Sequence, residues 1–242
     1  MTDENGGSAT PEPAKRRAPE IHADLTEPEE VVRKAFHVRV FGSPEFFRLW
    51  LAQVVSATGD WLGLLAISLL AIRIGSGSEG AALSMVLAAR IIPGFFFGPI
   101  AGVLVDRWNR KRVMVTCDVC RALVMVSLPF VDTIWGLVLA SLVLEAFTML
   151  WSPAKEASVP NLVPAEYLTT ANSLSVVAAY GTFPVGAALM VLFGRLSTAL
   201  FSSSWADNLR LGEEGLAFYA NSLTFLVAAF LIVTLPLPIR PK

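Results

Sequence analysis

The chain has 242 residues, of which 54% are hydrophobic and only 16% are charged, and its net charge at pH 7 is −1. Soluble domains are typically about 45–50% apolar and about 25% charged, so this composition excludes an ordinary water-soluble enzyme. The near-neutral charge gives no support for binding nucleic acid, and two cysteines cannot form a disulfide framework. These properties are typical of a polytopic membrane protein.

The first 30 residues are polar, acidic and proline-bearing, and they lack the apolar region of a signal peptide. We expect residues 1–45 to be a disordered and juxtamembrane tail, because such a composition cannot bury enough apolar surface to fold. Within it, apolar residues alternate with basic ones over Val31–Phe41. This pattern suits either a short interfacial helix or a basic linker.

Residues 46–236 contain six apolar segments that are long enough to cross a bilayer. A spanning helix needs about 20 mostly apolar residues, because the hydrocarbon core is about 30 Å thick and a helix rises 1.5 Å per residue. The predicted spans are Phe47–Ile72, Ala81–Val105, Val113–Val131, Ile134–Trp151, Leu174–Phe193 and Leu216–Leu235. The predicted fold class is therefore an all-α membrane protein with six transmembrane helices, in which short connections make hairpins of the first and second pairs.

The distribution of basic residues predicts how these spans are oriented. Eleven Lys and Arg residues lie near the membrane on the side of the N-terminus, against three on the opposite side. Because basic loops stay in the cytoplasm, we expect both termini of this multi-pass protein to be on the cytoplasmic side of the plasma membrane. The loop Asp106–Arg112 is then cytoplasmic, and Gly194–Gly215 is external.

The loop between the second and third spans reads GPIAGVLVDRWNRKRV from Gly98 to Val113. Its charge alone suits any positive-inside loop, but its order resembles the signature loop of the major facilitator superfamily, G-x-L-x-D-R-x-G-R-K. The matching residues are Gly102, Leu104, Asp106, Arg107, Arg110 and Lys111. Asn109 stands where the family usually has glycine, and asparagine tolerates a left-handed backbone better than most residues.

Further segments resemble the branch of that superfamily that exports multiple drugs, macrolides and siderophores. Phe47–Gly63 is similar to the first span of these exporters, and Ser152–Pro164 with Tyr167–Asn172 is similar to their loop between spans four and five. The resemblance implies the N-terminal six-helix half of a twelve-helix transporter, with substrate bound between the halves. It also implies proton-coupled efflux of a small hydrophobic or drug-like molecule. In the family, the signature loop locks the cytoplasmic gate against the other half.

Five charged residues lie inside the predicted spans, where charges are costly and often functional. They are Asp60, Arg90, Asp118, Arg121 and Glu145. Counting from the span ends places Asp60 level with Arg90, and it places Arg121 level with Glu145, so we expect an ion pair within each hairpin. Asp118 and Arg121 are also neighbours three residues apart on one helix. These pairs either hold the bundle together or include one that opens to a proton or a cationic substrate.

The second span carries three glycines at four-residue spacing, Gly94, Gly98 and Gly102. Their shared face should let another helix approach closely, and in the family that helix belongs to the second half of the transporter. The fifth span carries Gly181, Pro184 and Gly186. These predict a kinked helix, which is either purely structural or a weak form of the family's antiporter motif.

The sequence has no phosphate-binding loop, no zinc-protease motif and no nucleophile elbow, so we expect no enzyme activity, cofactor or metal site. Cys117 and Cys120 have the spacing of a redox pair but lie inside a span, so we interpret them as packing residues. The aromatic residues Trp61 and Tyr180 suit either a cavity lining or helix packing.

Residues 237–242 read as the start of a central cytoplasmic loop, so the chain is expected to be a fragment or a split half. Its partners would then be a C-terminal six-span half, the lipid bilayer and a small-molecule substrate. One alternative is a membrane anchor or accessory module without transport activity. Another is a half-transporter that dimerises with its own copy through the glycine face.

Overall fold

The structure is a computed structural model that describes residues 40–200 and 214–236. Seven α-helices in these ranges form the fold: α1 (Pro44–Ile74), α2 (Glu79–Val105), α3 (Arg110–Ser127), α4 (Ile134–Ser158), α5 (Leu168–Tyr180), α6 (Phe183–Leu200) and α7 (Gly215–Val233). Short 3-10 helices lie at Leu128–Phe130, Val159–Asn161 and Ala165–Tyr167. Six segments are long and apolar enough to cross a membrane, with α5 and α6 together forming the fifth. The predicted all-α fold with six spans is confirmed.

Two of the predicted membrane spans are shorter than the helical segments in the structure. The fourth span continues to Asn161 rather than ending at Trp151, and the fifth begins at Ala165 rather than Leu174. In both places polar residues belong to the helical segment, so hydropathy underestimates its length. The predicted tail up to residue 39, the central part of the predicted external loop (201–213) and residues 237–242 lie outside the described ranges.

Side-chain caps set where three of the helices begin. Ser43 accepts from the backbone N–H of Phe46 at 3.0 Å, and Pro44 occupies the first turn of α1. Asn109 caps α3 in the same way, since its side chain accepts from Arg112 N at 3.1 Å. Its backbone is extended, with φ −71° and ψ 106°, so the left-handed conformation that asparagine tolerates is not used here. Thr133 caps α4.

Helix α1 lies at the centre of the bundle, where it packs most extensively on α7 and also contacts α2, α5 and α6. Two glycines make the approach to α7 possible. A Cβ atom added at Gly59 would lie 1.9 Å from the hydroxyl oxygen of Thr224, and one added at Gly63 would lie 2.2 Å from the amide nitrogen of Asn221. Small residues four apart therefore let these two helices meet closely.

The other spans pack around this pair. Helix α2 lies against α4, and α3 lies between α4 and α7. Two apolar core clusters result: one contains Leu49, Met114 and Cys117, and the other contains Leu62 and Met125 among its members. Along α1 and α3, the buried polar residues fall between these clusters, so a polar layer crosses the middle of the bundle.

The fifth span is broken between α5 and α6, at the turn Gly181–Thr182, just before Pro184. Proline has no N–H to donate to the preceding turn, so a continuous helix is disfavoured there. Gly186 then lets α6 approach α1, because a Cβ at this position would lie 2.8 Å from the Cβ of Trp61. The kink predicted for the fifth span is therefore present as a break in the helix, and it lies immediately before α6.

Candidate functional site

A cavity of about 890 Å³ lies between α1, α2, α4 and α5, with Arg121 of α3 also in its wall. Pockets for drug-sized ligands typically have volumes of about 300–1,000 Å³. Both Trp61 and Tyr180 line this cavity, and Trp61 also packs against the ring of Phe183, so both interpretations hold for Trp61. Trp61 is held in place by a 2.8 Å hydrogen bond from its indole nitrogen to the carbonyl oxygen of Ala179.

Arg121 is the centre of the charged layer, and its side chain is only 1% exposed. Its guanidinium group pairs with Asp118 on the same helix and with Asp60 on α1, the latter at 3.2 Å. The ring of Phe225, on α7, lies 4.3 Å from the guanidinium carbon. A planar guanidinium suits such a site because it donates several hydrogen bonds in one plane and stacks on aromatic faces. Arg121 thus connects α1, α3 and α7.

The two carboxylates on Arg121 differ in their surroundings. Asp118 is completely buried, and its second oxygen accepts from the indole nitrogen of Trp151 at 3.1 Å. The side chain of Asp60 is 26% exposed and lines the cavity, and its Oδ1 atom has no hydrogen-bond partner among the described residues. Asp118 is therefore fixed on both oxygens, whereas Asp60 is held on one.

Arg90 of α2 and Glu145 of α4 form a second, longer pair at 4.0 Å, and both line the cavity. Gly94 lies one turn after Arg90 and faces the same carboxylate, since a Cβ there would be 3.8 Å from Glu145 Oε1. The cavity wall thus contains charged groups from four spans. With Asp118 included, the layer has three carboxylates and two guanidinium groups.

The predicted pairs Asp60–Arg90 and Arg121–Glu145 are wrong, because the two arginines have exchanged partners. Counting residues gives the depth of a charge but not the direction in which its helix faces. Helix α2 packs on α4, so Arg90 meets Glu145 rather than Asp60. The predicted neighbours Asp118 and Arg121 do form an ion pair.

The basic residues of the signature-like loop hold the ends of other helices. Arg110 donates to the carbonyl oxygen of Ala157 near the end of α4, and Lys111 donates to that of Leu235 beyond α7, both at 2.7 Å. Cations bind well at helix C-termini because the last carbonyl groups lack partners in the helix. Asp106 lies 3.9 Å from Arg110, and its side chain is 68% exposed. Arg107 is also exposed, and this loop lies outside the cavity.

The remaining predicted packing residues divide into two groups. Gly98 and Gly102 face open space, since a Cβ atom at either would have no atom within 4 Å. Phe95, Phe96 and Phe97 beside them are exposed, so α2 presents an open apolar face. Gly94 faces Glu145, and Gly181 and Gly186 lie at the break and at the α6–α1 contact. Cys117 is buried in the core, as a packing residue would be.

Sequence reasoning missed one group of cavity residues, Gln53, Lys155 and Ser175. Gln53 lies two helical turns before Asp60, a spacing that places both side chains on one face of α1 and could have identified it. In the sequence, Lys155 is simply one of the eleven basic residues near the membrane on the side of the N-terminus. Among the described residues, no group of three or more His, Cys, Asp or Glu side chains is placed to hold a metal ion.

Comparison with known proteins gives a consistent family assignment. The profile of the Major Facilitator Superfamily matches residues 49–242. The chain is 29% identical to the uncharacterized MFS-type transporter YfiS of Bacillus subtilis over 188 residues, which is 78% of this chain and 41% of YfiS. It is 33% identical to macrolide efflux protein A of Streptococcus pyogenes over 131 residues, covering 52% of this chain and 32% of that protein.

A third relative is the multidrug efflux pump Tap of Mycobacterium bovis, which is 29% identical over 124 residues, or 49% of this chain and 29% of Tap. The chain therefore matches less than half the length of each of these three relatives. No solved structure matches it.

Proposed function

The chain belongs to the major facilitator superfamily, and on that premise we propose that it is the N-terminal half of a proton-coupled exporter of small hydrophobic or drug-like molecules. As a member of this family it is a multi-pass membrane protein with a transporter fold rather than an enzyme. The observation that carries the proposal is the cavity, because its wall combines aromatic side chains with charged groups in the middle of the bundle. Two relatives are named as efflux proteins, which supports the outward direction.

Asp60 is the carboxylate that would exchange the coupling proton. It faces the cavity, and one of its oxygens has no partner among the residues described, whereas both oxygens of Asp118 are occupied. When Asp60 takes a proton, Arg121 keeps Asp118 as its counter-ion, so no buried charge is left alone.

The charge balance of the layer supports coupling between proton and substrate. With all groups ionised, its three carboxylates exceed its two guanidinium groups by one negative charge. A proton on Asp60 neutralises that charge, and so does a positively charged group of a substrate in the cavity. The two would therefore compete, which is the requirement for exchange of one against the other.

The partner in this proposal is a second six-span half, in the same polypeptide or as a separate chain. The relatives are more than twice as long as the segments that match, and α2 presents an open apolar face around Gly98 and Gly102. Small residues on such a face allow another helix to approach. The loop Asp106–Arg112 would lie on the cytoplasmic side, and Asp106 and Arg110 would control opening at that end rather than contact the substrate.

The test is Asp60→Asn in the complete carrier, scored for membrane abundance and for efflux of ethidium and of erythromycin. We expect normal abundance, because asparagine still accepts from Arg121, and loss of the efflux that a protonophore abolishes. Glu79→Gln is the matched control, since Glu79 is an exposed carboxylate outside the cavity at the start of α2. Full proton-driven efflux by Asp60→Asn would exclude Asp60 as the coupling group.

A further inference from the structure

A second polar region of the cavity lies toward the end of α4 that meets the signature-like loop. Lys155 lies in the last turn of that helix, lines the cavity and is only 5% exposed. Its ammonium group has three N–H donors. Gln53 Oε1 is its hydrogen-bond acceptor in the structure, at 3.4 Å, near the upper limit for such a bond. Among residues 40–200 and 214–236, no carboxylate oxygen lies within 4.0 Å of this ammonium group.

Capping of its own helix does not account for this position. Near the end of α4, Ala157 O accepts from Arg110 and from the side chain of Asn161, at 2.7 and 3.3 Å. Ala154 O accepts from Ser158 at 2.7 Å. Other donors serve these carbonyl groups, and Lys155 extends toward Gln53 of α1 and the cavity. A buried charge with so few partners is costly unless another group completes its shell.

The neighbours of Lys155 in the cavity wall include an amide, a hydroxyl and one carboxylate, Glu156. The Gln53 side-chain nitrogen donates to the carbonyl oxygen of Ser175 at 2.9 Å, which directs its oxygen toward Lys155. The Ser175 hydroxyl is buried without a partner in the described part of the chain, and this residue also lines the cavity. The nearest carboxylate in sequence, Glu156, accepts from Ser152 at 3.4 Å. The region therefore offers an ammonium group and a hydroxyl to an incoming acceptor.

We propose that Lys155, positioned by Gln53, is a subsite that binds a carboxylate group of the transported molecule. This deepens the proposed function and rests on it, since it assigns a chemical group to the substrate of the same cavity. Lys155 lies ten residues from Glu145 on α4, about 15 Å along the helix. The substrate class is accordingly an amphiphile with a carboxylate at one end and an apolar or cationic end that reaches the layer containing Asp60 and Glu145.

The test uses the purified chain in lipid nanodiscs and a matched pair of dyes, rhodamine 110, which has a free carboxylate, and its methyl ester, rhodamine 123. Dissociation constants are measured by fluorescence anisotropy. We expect wild type to bind rhodamine 110 roughly tenfold or more tightly than the ester, because a charge-assisted hydrogen bond is lost in the ester. Lys155→Gln should remove this preference, and Lys155→Arg should retain most of it.

Arg48→Gln is the control. It removes an exposed positive charge that lies outside the cavity, near the N-terminal end of α1, which also carries Gln53. If both dyes bind equally and Lys155→Gln changes neither, the subsite is excluded while the cavity proposal stands. If neither dye binds wild type, the subsite is excluded, whereas the transport proposal is decided separately by Asp60→Asn in the complete carrier. An equal loss of both dyes in Lys155→Gln would mean a structural role and would also exclude the subsite. Should that variant not fold, Ser175→Ala must weaken rhodamine 110 alone for the proposal to survive.

Discussion

Arg121 shows how a single buried residue connects three helices of the bundle. Its guanidinium group pairs with carboxylates of α1 and α3 and lies against the ring of Phe225 of α7. A buried ion pair contributes little net stability when it is intact, but removing one partner leaves an uncompensated charge in a region of low dielectric constant. The pair Asp118–Arg121 should therefore be much more sensitive to single than to double substitution.

We predict that Arg121→Gln destabilises the chain by about 3–5 kcal/mol, because Asp118 is then buried without a counter-ion. Asp118→Asn should be similarly harmful, whereas the double variant should recover more than half of the loss. The measurement is a double-mutant cycle of thermal unfolding in detergent. Losses that simply add would show that the two side chains do not depend on each other.

The sequence located the five intramembrane charges and the neighbours Asp118 and Arg121, but it did not identify the ion pairs between helices. Their cost in a bilayer makes such residues visible in any hydrophobic segment. The exchange of partners between Arg90 and Arg121 depends on how each helix is rotated and on α2 packing against α4, which a depth count does not contain. The cavity position of Lys155 is also not visible in the sequence, because it depends on the direction in which the side chain extends, toward Gln53 of α1.

At the scale of the helices, contacts between spans depend on where a glycine faces. Gly63 of α1 lies against Asn221 and Met125, whereas Gly98 of α2 faces open space. The regular spacing of Gly94, Gly98 and Gly102 predicts a helix-packing face on α2. The sequence does not indicate that Gly59 and Gly63 form the contact between α1 and α7. Spacing alone does not say which small residues meet a neighbour within the same chain.

These two glycines give opposite predictions for the same substitution. Gly98→Ala should stabilise the isolated chain slightly, by about 0.5–1 kcal/mol, because alanine is the better helix former and nothing obstructs its methyl group. Gly63→Ala should destabilise it by about 1–3 kcal/mol, because the added methyl group overlaps the buried amide of Asn221. Melting temperatures of both variants in one detergent test this. A stabilised Gly63→Ala would mean that α1 and α7 are less closely packed.

At the scale of the whole molecule, the spans with exposed apolar surfaces differ in whether they also border the cavity. Phe95, Phe96 and Phe97 on α2, and Val176 and Tyr180 on α5, are all strongly exposed, and these two helices also border the cavity. Helix α3 is exposed as well, at Leu123, but contributes only Arg121 to the cavity wall. Under the proposed function, the second half covers the cavity by packing on α2 and α5, and α3 faces lipid.

This arrangement predicts that Gly98→Leu impairs assembly without harming the fold of this half. The isolated chain should melt at the wild-type temperature or slightly above it, because a Cβ atom at this position has no atom of the described structure within 4 Å and leucine is a better helix former than glycine. In the complete carrier, the bulky residue should prevent close approach of the second half and lower both efflux and cross-linking between halves. Leu123→Trp is the matched control, since it adds volume to the exposed surface of α3. Normal assembly of Gly98→Leu would mean that this face meets lipid. A homodimer would instead be favoured if two copies of Gly98→Cys formed a disulfide bond in the absence of the second half.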